Sequence, residues 1–490
     1  MGFEMQQTPY GPLPRYLCEG RLGDLCIENG VQTGPFGSQL HQEDYVAVGT
    51  PIITVEHLGD NRIIHRDLPC VTDEDRARLS KYSLHTGDIV FSRVGSVDRR
   101  AIVQETEDGW LFSGRCLRVR PNIEHLNPQW LSYFFGLPAF KQYIRSIAVG
   151  ATMPSINTKI LSDVPIYFPP LECQRTASNF LTYLDNKIQL NYQINQTLEQ
   201  MAQALFKSWF VDFEPVKAKI TALEAGGTLE DATLAAMTAI SGKDSVALMM
   251  FAREQPDKYA ELKTTAKLFP TTLQYCELGE IPQGWGIEKL GSIIEFNPKR
   301  TLKKGAVAPY LDMKNVPTDG HSAQDVIDRE FSSGSKFKNG DTLLARITPC
   351  LENGKTAYVD FLPSDESVGW GSTEFIVMRA HKELPSSISY FFARLDSFRA
   401  VAIQSMQGTS GRQRADASVL DNHPWVMPPK ELLQKFGIFC DSILGSNKSR
   451  CLENKSLSQL RDTLLPKLLS GEITLPEAEA WAAQTEPQEA

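Results

Sequence analysis

The chain has 490 residues, too many for one ordinary domain, and 42% of them are apolar, enough to bury several cores. A net charge of −9 argues against simple non-specific coating of nucleic acid. The nine cysteines form no C-x-x-C pair and lie at no zinc-finger spacing from a histidine, which predicts a reducing compartment and no metal site. Without a signal peptide or a long apolar run, we expect a cytoplasmic chain with no membrane contact.

The charge is unevenly distributed along the sequence. Residues 86–160 carry nine basic residues against six acidic ones. A basic face on an acidic chain is compatible with selective contact to DNA. Ordinary solvated surface explains the same bias equally well, so charge alone leaves both interpretations open.

The first 170 residues contain landmarks that return later in the chain in the same order. The offset between the two copies varies from 253 to 268 residues, so the scaffold is shared while loop lengths differ. This order predicts an internal duplication, with recognition residing in the variable loops. The matched segments are "GPLPRYLCEGRLGDLCIENG" with "GEIPQGWGIEKLGSIIEFNP", "TGDIVFSRVGS" with "NGDTLLARITP", "GWLFSGRCLRVR" with "GWGSTEFIVMRA", "SYFF" with "SYFF", and the double proline 169–170 with 428–429.

A long helical segment follows each double proline. Residues 171–213 contain no Pro or Gly, and their seam alternates between spacings of four and three, as in a coiled coil. Residues 430–475 keep the equivalent seam, although Gly445 weakens the helix. We predict two helices paired as a coiled coil, with Asn195 and its equivalent Asn454 fixing their register at some cost in stability. Packing of each helix on its own domain is the alternative.

An Ala-rich segment, residues 214–269, separates the two copies. Its periodicity is helical, with breaks at Gly226-Gly227 and Gly242. It shows no pattern of catalytic or metal-binding residues. A partner-docking insertion and a plain helical linker both fit this segment.

The familiar catalytic motifs are missing from the sequence. "HRDL" at 65–68 resembles a kinase catalytic loop, but Thr72 stands where that loop requires Asn. There is no G-x-x-x-x-G-K-[ST], G-x-G-x-x-G, G-x-S-x-G or H-E-x-x-H, and no Asn/Asp-Pro-Pro-aromatic tetrapeptide of amino-methyltransferases. These absences favour a binding protein that has no catalytic residue, metal or cofactor of its own.

Several segments, taken in order, resemble the specificity subunit of type I restriction-modification enzymes. The similarity covers about residues 11–475 and is carried by "TGDIVFSRVGS", "GATMPSINTKIL", "PPLECQ", "MAQALFKSWFVDFEPVKAK", "LGEIPQGW" and "LRDTLLPKLLSGEI". The resemblance implies an α+β fold with pseudo-twofold duplication. In that fold, two tandem target recognition domains of mixed α/β structure are separated by two long antiparallel helices, which form a coiled-coil spacer.

The resemblance also implies a function and partners. Each domain would bind one half of a split, asymmetric site in double-stranded DNA. Two modification subunits would dock on the helices and bring S-adenosylmethionine for transfer of a methyl group to adenine N6. Two restriction subunits, which are motor-nucleases, would bring ATP and Mg for translocation and cleavage.

The duplication and the resemblance together divide the chain into six parts. We expect target recognition domains at 1–170 and 279–429. The helical parts and the tail would then bind partner subunits and set the distance between the two half-sites. The remaining parts are the first spacer helix (171–213), a helical insertion or linker (214–278), the second spacer helix (430–475) and an acidic tail (476–490).

Loops rich in Gly, Arg and amide side chains are the candidates for DNA contact. Arginine pairs with guanine, Asn and Gln pair with adenine, and Lys or hydroxyl groups bind phosphate. In the first copy the candidates are Gln32, Thr33, Ser38, Gln39, Ser92, Arg93, Ser96, Arg99, Arg100, Ser155, Asn157 and Lys159. In the second copy they are Arg346, Lys355, Gln407, Ser410, Arg412, Gln413 and Arg414.

Two other functions remain open on the sequence alone. The chain could be an assembly scaffold that does not touch DNA. It could also be a standalone DNA-modifying enzyme, such as a fused nuclease, whose active site follows no familiar motif. Binding to DNA in a gel shift and activity of the purified chain would separate these alternatives.

Overall fold

The computed structural model describes residues 4–35, 39–408 and 412–473. The chain forms two compact units. The first unit comprises residues 1–188 and 454–490, and the second unit comprises residues 189–453. Both units combine helices with β-sheets, so the predicted α+β fold class is confirmed. Ser38, Ser410 and the predicted acidic tail lie outside the described residues.

The described part of the first unit is built from short strands, four short α-helices and the start of one long helix. Its strands are β1 (Met5–Thr8), β2 (Gly11–Pro14), β3 (Cys18–Arg21), β4 (Cys26–Thr33), β5 (Thr50–Ile53), β6 (Asp60–Asn61), β7 (Cys70–Val71), β8 (Ile89–Ser92), β9 (Arg100–Ile102), β10 (Leu111–Phe112), β11 (Cys116–Pro121) and β12 (Pro165–Phe168). Its helices are α1 (Asp73–Arg78), α2 (Pro128–Gly136), α3 (Pro138–Ile147), α4 (Thr158–Ser162) and the beginning of α5 (Leu171–Phe210).

The second unit starts with the end of α5 and a group of helices before its strands begin. The helices are α6 (Glu214–Glu224), α7 (Leu229–Ser241), α8 (Ser245–Glu254), α9 (Pro256–Lys267), α10 (Ser387–Arg394), α11 (Asp396–Gln404), α12 (Ala417–Asp421) and α13 (Lys430–Leu469), which ends in the first unit. The strands are β13 (Leu273–Cys276), β14 (Gly279–Pro282), β15 (Gly286–Lys289), β16 (Ile294–Phe296), β17 (Val307–Leu311), β18 (Ile327–Glu330), β19 (Ser335–Phe337), β20 (Thr342–Ala345), β21 (Thr356–Tyr358), β22 (Gly369–Gly371), β23 (Phe375–Ala380) and β24 (Pro424–Met427).

The sheet topology is duplicated between the units. The order β4-β11-β8-β9-β6 in the first unit corresponds to β16-β23-β20-β21 in the second. A second sheet, β10-β5-β7, corresponds to β18-β17-β22-β19, and each contains one parallel pair, β10 with β5 and β22 with β17. The ribbons β1-β2 and β3-β12 likewise correspond to β13-β14 and β15-β24. This shared topology is strong structural evidence for the duplication predicted from the sequence.

A buried aspartate–arginine pair joins neighbouring strands at equivalent places in both main sheets. In the first unit Arg120 donates two 2.6 Å hydrogen bonds to Asp88, whose side chain is 1% exposed. In the second unit Arg379 donates one hydrogen bond to the fully buried Asp341 through Nε, while its Nη2 donates to the carbonyl of Asn339, and Arg300 adds a second cation beside Asp341. Burial raises the pKa of Asp341, although the guanidinium groups of Arg379 and Arg300 oppose this. The repetition of the pair indicates a structural role.

Aromatic side chains fill the cores. In the first unit Phe135 of α2 and Phe140 of α3 pack against Phe91 of β8, and Trp130 of α2 stacks on Phe134. Each such side chain contributes on the order of 2–3 kcal/mol through the area that it buries. In the second unit, α6–α9 contribute buried side chains such as Met237 to the core that contains the aromatic groups of α5, α10 and α13. The inserted helices therefore share the core of the second unit.

The two long helices run antiparallel where they meet within each unit. In the second unit the Asn191 amide donates to Glu453 (2.7 Å), and the Asn195 amide donates to the carbonyl of Asn447 (3.2 Å). Contact positions thus rise along α5 while they fall along α13. In the first unit the Asn454 amide donates to the carbonyl of Ile188 (3.2 Å). Apolar residues with period 3.6 and few helix breakers explain the length of these helices.

No single helix among the described residues is both long enough and apolar enough to cross a bilayer. The neighbouring helices α7 and α8 pass the same length and composition test only as a pair, and they are bent by 85° at the break between them.

Candidate nucleic-acid interface

Three segments of the first unit meet at one end of its main sheet. Arg93, immediately after β8, donates its backbone N–H to the carbonyl of Arg115 (2.8 Å), immediately before β11. The carbonyl of Arg93 accepts from the N–H of Ile156 (3.0 Å) in the loop that precedes α4. That loop closes where Ser155 and Val149 exchange two backbone hydrogen bonds of 2.9 Å. We call this meeting point the first junction.

The second unit repeats this junction with the same backbone hydrogen bonds. Arg346 donates to the carbonyl of Glu374 (2.9 Å) and accepts from the N–H of Ala415 (2.8 Å). Gln407 and Arg414 exchange two hydrogen bonds of 3.1 and 3.0 Å. In this second junction Arg346 therefore occupies the position of Arg93, and Arg414 that of Ser155. The position of Arg115 is occupied by Glu374.

The structure corrects one of the sequence matches. The segments "GWLFSGRCLRVR" and "GWGSTEFIVMRA" align without a gap by their Gly-Trp pairs, but the strands do not follow that alignment. Cys116 pairs with the last residue of β8, and Phe375 pairs with the last residue of β20, so these two are equivalent. Trp370 lies within β22, whereas Trp110 precedes β10. A shift of one residue changes which side chains share a face, so the two tryptophans have different roles.

Several predicted residues of the first unit lie at or beside the first junction. The half-buried Arg93 side chain donates to the hydroxyl of Thr33 and to the carbonyl of Gly114, both at 3.3 Å. Gln32 lies next to Thr33 on β4, and its buried Oε1 accepts no hydrogen bond from a described residue. The Ser155 hydroxyl donates to the carbonyl of Val149 (3.2 Å).

Other predicted residues of the first unit are exposed in the loops around this junction. Ser96 is exposed in the turn after β8. Asn157 immediately precedes α4, and its side-chain oxygen accepts from the N–H of Ile160 (2.8 Å), so this group caps the helix. Lys159 is exposed on the first turn of α4. The exposed positions can reach a ligand, whereas the cap explains Asn157 without one.

Four predicted residues point into the fold instead. Ser92 is fully buried and donates to the carbonyl of Val94 (3.1 Å). Arg100 is 4% exposed, donates to the carbonyl of Ser132 (3.0 Å) and pairs with Asp60 (2.9 Å). Arg99 donates to the carbonyl of Leu58, and Gln39 accepts from Tyr82. These contacts within the fold account for the four side chains without a ligand.

The second junction contains most of the residues predicted in the second copy. Gln407 and Arg412 are exposed, and the carbonyl of Gln413 accepts from the N–H of Thr348 (3.2 Å). The buried Nε of Arg346 donates no hydrogen bond to a described residue. The carbonyl of Lys355 accepts from the N–H of Ala345 (3.0 Å), the residue before Arg346, but the Lys355 side chain is engaged within the fold, since its Nζ donates to the carbonyl of Met313 (2.8 Å).

An ion pair lies at the centre of the second junction. Arg414 donates to both carboxylate oxygens of Glu374 at distances of 2.7–3.0 Å. The hydrogen bonds from Arg414 lower the pKa of Glu374 against the opposing effect of burial, and the charge of Arg346 adds to the lowering. Such a bidentate pair fixes the orientation of a guanidinium group.

Sequence reasoning missed Arg115 and Glu374. Arg115 and Glu374 lie immediately before β11 and β23, but the gap-free alignment of the Gly-Trp pairs shifts the two copies by one residue and hides this equivalence. A spacing of 259 residues, which also relates Arg120 to Arg379, is the signal that could have paired them.

The described residues offer no group of three or more His, Cys, Asp or Glu arranged to hold a metal ion. The described features of this interface are cations, amides, hydroxyls and backbone groups on loops. Such groups bind phosphate and base edges.

The comparisons with known proteins agree on one family. The family model of the type I restriction modification DNA specificity domain matches residues 19–200. The specificity subunit of the type I restriction enzyme HindI from Haemophilus influenzae is 30% identical over 445 residues, which cover 86% of this chain and 95% of the relative. The MjaIX specificity subunit from Methanocaldococcus jannaschii is 23% identical and covers 97% of both chains.

Among solved structures, the S subunit of a type I restriction-modification system from M. genitalium aligns with 94% of this chain and 99% of its own, at 14% identity and a TM-score of 0.48. The match to HindI is long enough, at sufficient identity, to assign the family. The chain therefore belongs to the specificity subunits of type I restriction-modification systems.

Proposed function

We propose that the two junctions contact DNA and that each unit binds one half of a split, asymmetric site. The observation that carries the proposal is the duplicated junction, in which the same backbone frame holds different side chains. A shared frame places loops alike on DNA, while different side chains select different bases. The two halves of the site should therefore differ in sequence.

The proposed interface is narrower than the set predicted from the sequence. In the first unit it includes Arg93, Ser96 and Lys159, with Gln32, Thr33, Ser155 and Asn157 beside them. In the second unit it includes Arg346, Gln407, Arg412, Gln413 and Arg414. We leave out Ser92, Arg99, Arg100, Gln39 and Lys355, since these side chains are committed to contacts within the fold.

We also propose that methylation and cleavage belong to partner subunits. Two modification subunits would bring S-adenosylmethionine and methylate adenine N6, and two restriction subunits would bring ATP and Mg, all in the cytoplasm. Membership of the specificity-subunit family supports this division of labour. We expect the purified chain alone neither to transfer a methyl group nor to cut DNA. Robust activity of the isolated chain would contradict the proposal.

The decisive experiment exchanges one target recognition domain while the rest of the chain stays constant. Residues 279–429 are replaced by the equivalent segment of a relative, and the methylated sequence is determined in cells that carry the partner subunits. One half of the methylated motif should change, while the other half and the spacing between them persist. The reciprocal exchange of residues 11–170 is the matched control and should change the opposite half. If both halves of the motif change in either chimera, the two units do not recognise their half-sites independently of each other.

Single arginine substitutions test the interface itself. Arg93→Ala and Arg412→Ala should each weaken binding of the complex to its site, by roughly 1–3 kcal/mol for a lost base contact. A lost phosphate contact should weaken binding to all sequences and reduce the salt dependence. Gel shifts at several salt concentrations measure both effects. Unchanged affinity in both variants would remove the junctions from the interface.

A further inference from the structure

The two junctions carry opposite charges at one equivalent position. Arg115 and Glu374 both accept the backbone N–H of the arginine that follows the preceding strand of the sheet, Arg93 in one unit and Arg346 in the other. A second equivalent position is Ser155 in the first junction and Arg414 in the second. The second junction therefore has a carboxylate–guanidinium pair where the first has an arginine and a hydroxyl.

In the first junction this position presents an exposed cation. The Arg115 side chain is exposed and forms no hydrogen bond or ion pair with any described residue. The equivalent of its missing partner is Ser155, whose hydroxyl donates instead to the carbonyl of Val149. Nothing in the described fold therefore requires a positive charge at position 115, which directs attention to a ligand.

In the second junction Glu374 holds a cation in one orientation. The pair engages Nε and Nη2 of Arg414, and Nη1 makes no hydrogen bond to a described residue. The Arg414 side chain remains 45% exposed. Exposed ion pairs add little to the stability of a protein. The main effect of the Glu374–Arg414 pair is therefore to fix the orientation of the Arg414 guanidinium group. A side chain already held in place loses less conformational freedom when it binds.

We propose that the position shared by Arg115 and Glu374 determines how each junction contacts DNA. Arg115 binds acceptor oxygens or nitrogens of one half-site directly, and Glu374 is a positioning residue that aims Arg414 at a guanine of the other. Guanine O6 and N7 form the acceptor pair that a guanidinium binds through two parallel hydrogen bonds. This inference rests on the proposed function, because it assumes that the junctions face DNA.

The first test removes Arg115. In a gel shift with the complex and its methylated-motif duplex, Arg115→Ala should bind roughly 5- to 150-fold more weakly, the range for loss of one base contact. A reduced salt slope would identify the acceptors as phosphates, and weaker discrimination at one base pair would identify a guanine. Arg21→Ala, which removes an exposed arginine of the same unit that pairs with Asp163, is the control and should bind normally.

The same assay separates failure of this inference from failure of the proposed function. If Arg93→Ala weakens binding and Arg115→Ala does not, the inference about Arg115 is wrong and the junction remains the interface. If neither these variants nor Arg412→Ala weaken binding, the proposed function itself fails. Thermal unfolding of each variant confirms that it is folded.

The second test concerns Glu374. Glu374→Gln keeps the shape of the side chain but removes its charge, so Arg414 should lose its fixed orientation. We expect weaker discrimination at one base pair of the second half-site, an unchanged first half-site, and the same affected base pair in Arg414→Ala. Adding Glu374→Gln to Arg414→Ala should change nothing more. A further change in base preference in that double variant would show that Glu374 contacts DNA itself and overturn the positioning role.

Three additional variants complete these tests. Glu366→Gln breaks another exposed ion pair of the second unit, with Lys338, and should leave the methylated motif unchanged. Arg115→Glu should abolish binding by repelling phosphates, and Ser155→Arg added to it should restore binding by recreating the second junction's pair. Failure of Ser155→Arg to restore any binding would mean that the pair does not present an arginine to DNA.

Discussion

Tyr133 and Tyr390 occupy the same place in the two "SYFF" segments, yet their hydroxyl groups are anchored differently. Tyr133 donates to Asp185 on α5 (2.7 Å), and Arg461 on α13 donates to the same carboxylate (2.8 Å). Tyr390 donates to Glu199, also on α5 but at a position that is not equivalent. Each unit thus ties its recognition fold to the long helices through a tyrosine and a carboxylate.

The carboxylates differ in what neutralises them. The Glu199 carboxylate lies 3.5 Å from Nδ1 of His321, whose Nε2 lies 3.6 Å from Asp360. Glu199 and His321 are only 3% and 2% exposed. Arg394 adds a hydrogen bond to the Tyr390 hydroxyl (3.0 Å). In the second unit the titratable imidazole of His321 therefore neutralises the anchoring carboxylate, whereas in the first unit the permanently charged Arg461 does so.

The contrast shows that duplicated scaffolds can keep a contact while its electrostatics change. Burial lowers the pKa of His321, but the two carboxylates outweigh this effect and raise the pKa to about 9. Arg461 has a raised pKa for a similar reason, with Asp185 and Asp462 outweighing burial, and it stays charged throughout. Between about pH 6.5 and 9, the stability of the second unit's anchor should therefore depend on the charge of its imidazole, whereas Arg461 keeps its charge.

The largest effect is expected from Glu199→Ala. This change leaves His321 buried against a single carboxylate and removes the acceptor of Tyr390, so the second unit should lose about 3–5 kcal/mol of unfolding free energy. Hydrogen exchange of α10 against that of α2 measures the effect on each unit separately. Glu431→Ala, at an exposed position on the first turn of α13, is the control and should cost less than about 0.5 kcal/mol. Equal loss of protection in both units would contradict separate anchoring.

A pH titration should distinguish the two anchors. Because the folded chain raises the pKa of His321 from 6.5 to about 9, its contribution is complete below about pH 6.5 and is lost as the pH rises through about 9. At 1.36 kcal/mol per pKa unit, the second unit should lose roughly 3 kcal/mol across this range. Protection of α2 in the first unit should remain nearly constant. Exchange rates, corrected for their intrinsic pH dependence, measure this difference.

His321→Asn is the control for the titration. Lys219 also titrates in the second unit, since burial lowers its pKa to about 8, and its effect on stability has the opposite sign. The difference between the wild-type chain and the variant cancels this contribution. Cys451 is also near these carboxylates, and burial raises its pKa. If His321→Asn keeps the full pH dependence, another group is responsible.

A smaller effect is expected from Asp185→Asn in the first unit. The Asp185 and Arg461 side chains are 11% and 21% exposed, so water partly replaces what the variant loses. A charge-assisted hydrogen bond at such a site contributes about 1.5–3 kcal/mol. Exchange in α2 should accelerate accordingly, and to the same extent on either side of the pH range in which His321 titrates. A loss in Asp185→Asn larger than that in Glu199→Ala would reverse the comparison.

Patterns local in sequence predicted the duplication and the long helices correctly. The seam of α5 follows from residues three and four apart, and the strands after "TGD" and "NGD" follow from short apolar runs. The cluster of Glu199 with His321 joins residues more than one hundred positions apart, and no local pattern marks such a partner.

The junction arginines divide in the same way. The loops were identified from Gly, Arg and amide content, but the roles of individual side chains depend on where each strand ends. Arg100 is the first residue of β9, whose three residues are all buried, whereas Arg93 immediately follows the end of β8. A one-residue difference in strand register hid the equivalence of Arg115 and Glu374, because alternate residues face opposite sides of a sheet.

The smallest effect concerns the asparagines of the helix seam, which also differ between the units. Asn454 donates to the carbonyl of Ile188, an apolar residue at the position equivalent to Asn447. Asn195 and Asn447 each donate to the other's carbonyl (3.2 and 3.3 Å), and Arg450 donates to the Asn195 side chain (3.3 Å). Polar residues in the seam of paired helices fix the register at a cost in stability. Because the partners of Asn195 and Asn454 differ, the two units should respond differently to the same substitution.

Asn454→Leu places an apolar side chain against Ile188 and should stabilise the first unit by about 0.5–1 kcal/mol. Asn195→Leu leaves Arg450 without one acceptor and should destabilise the second unit by about 1 kcal/mol. Denaturant unfolding with hydrogen exchange measures both changes. If these residues set the register of α5 against α13, the double variant should also methylate sites with more than one spacing between half-sites. A single unchanged spacing in the double variant would show that the register is fixed elsewhere along the helices.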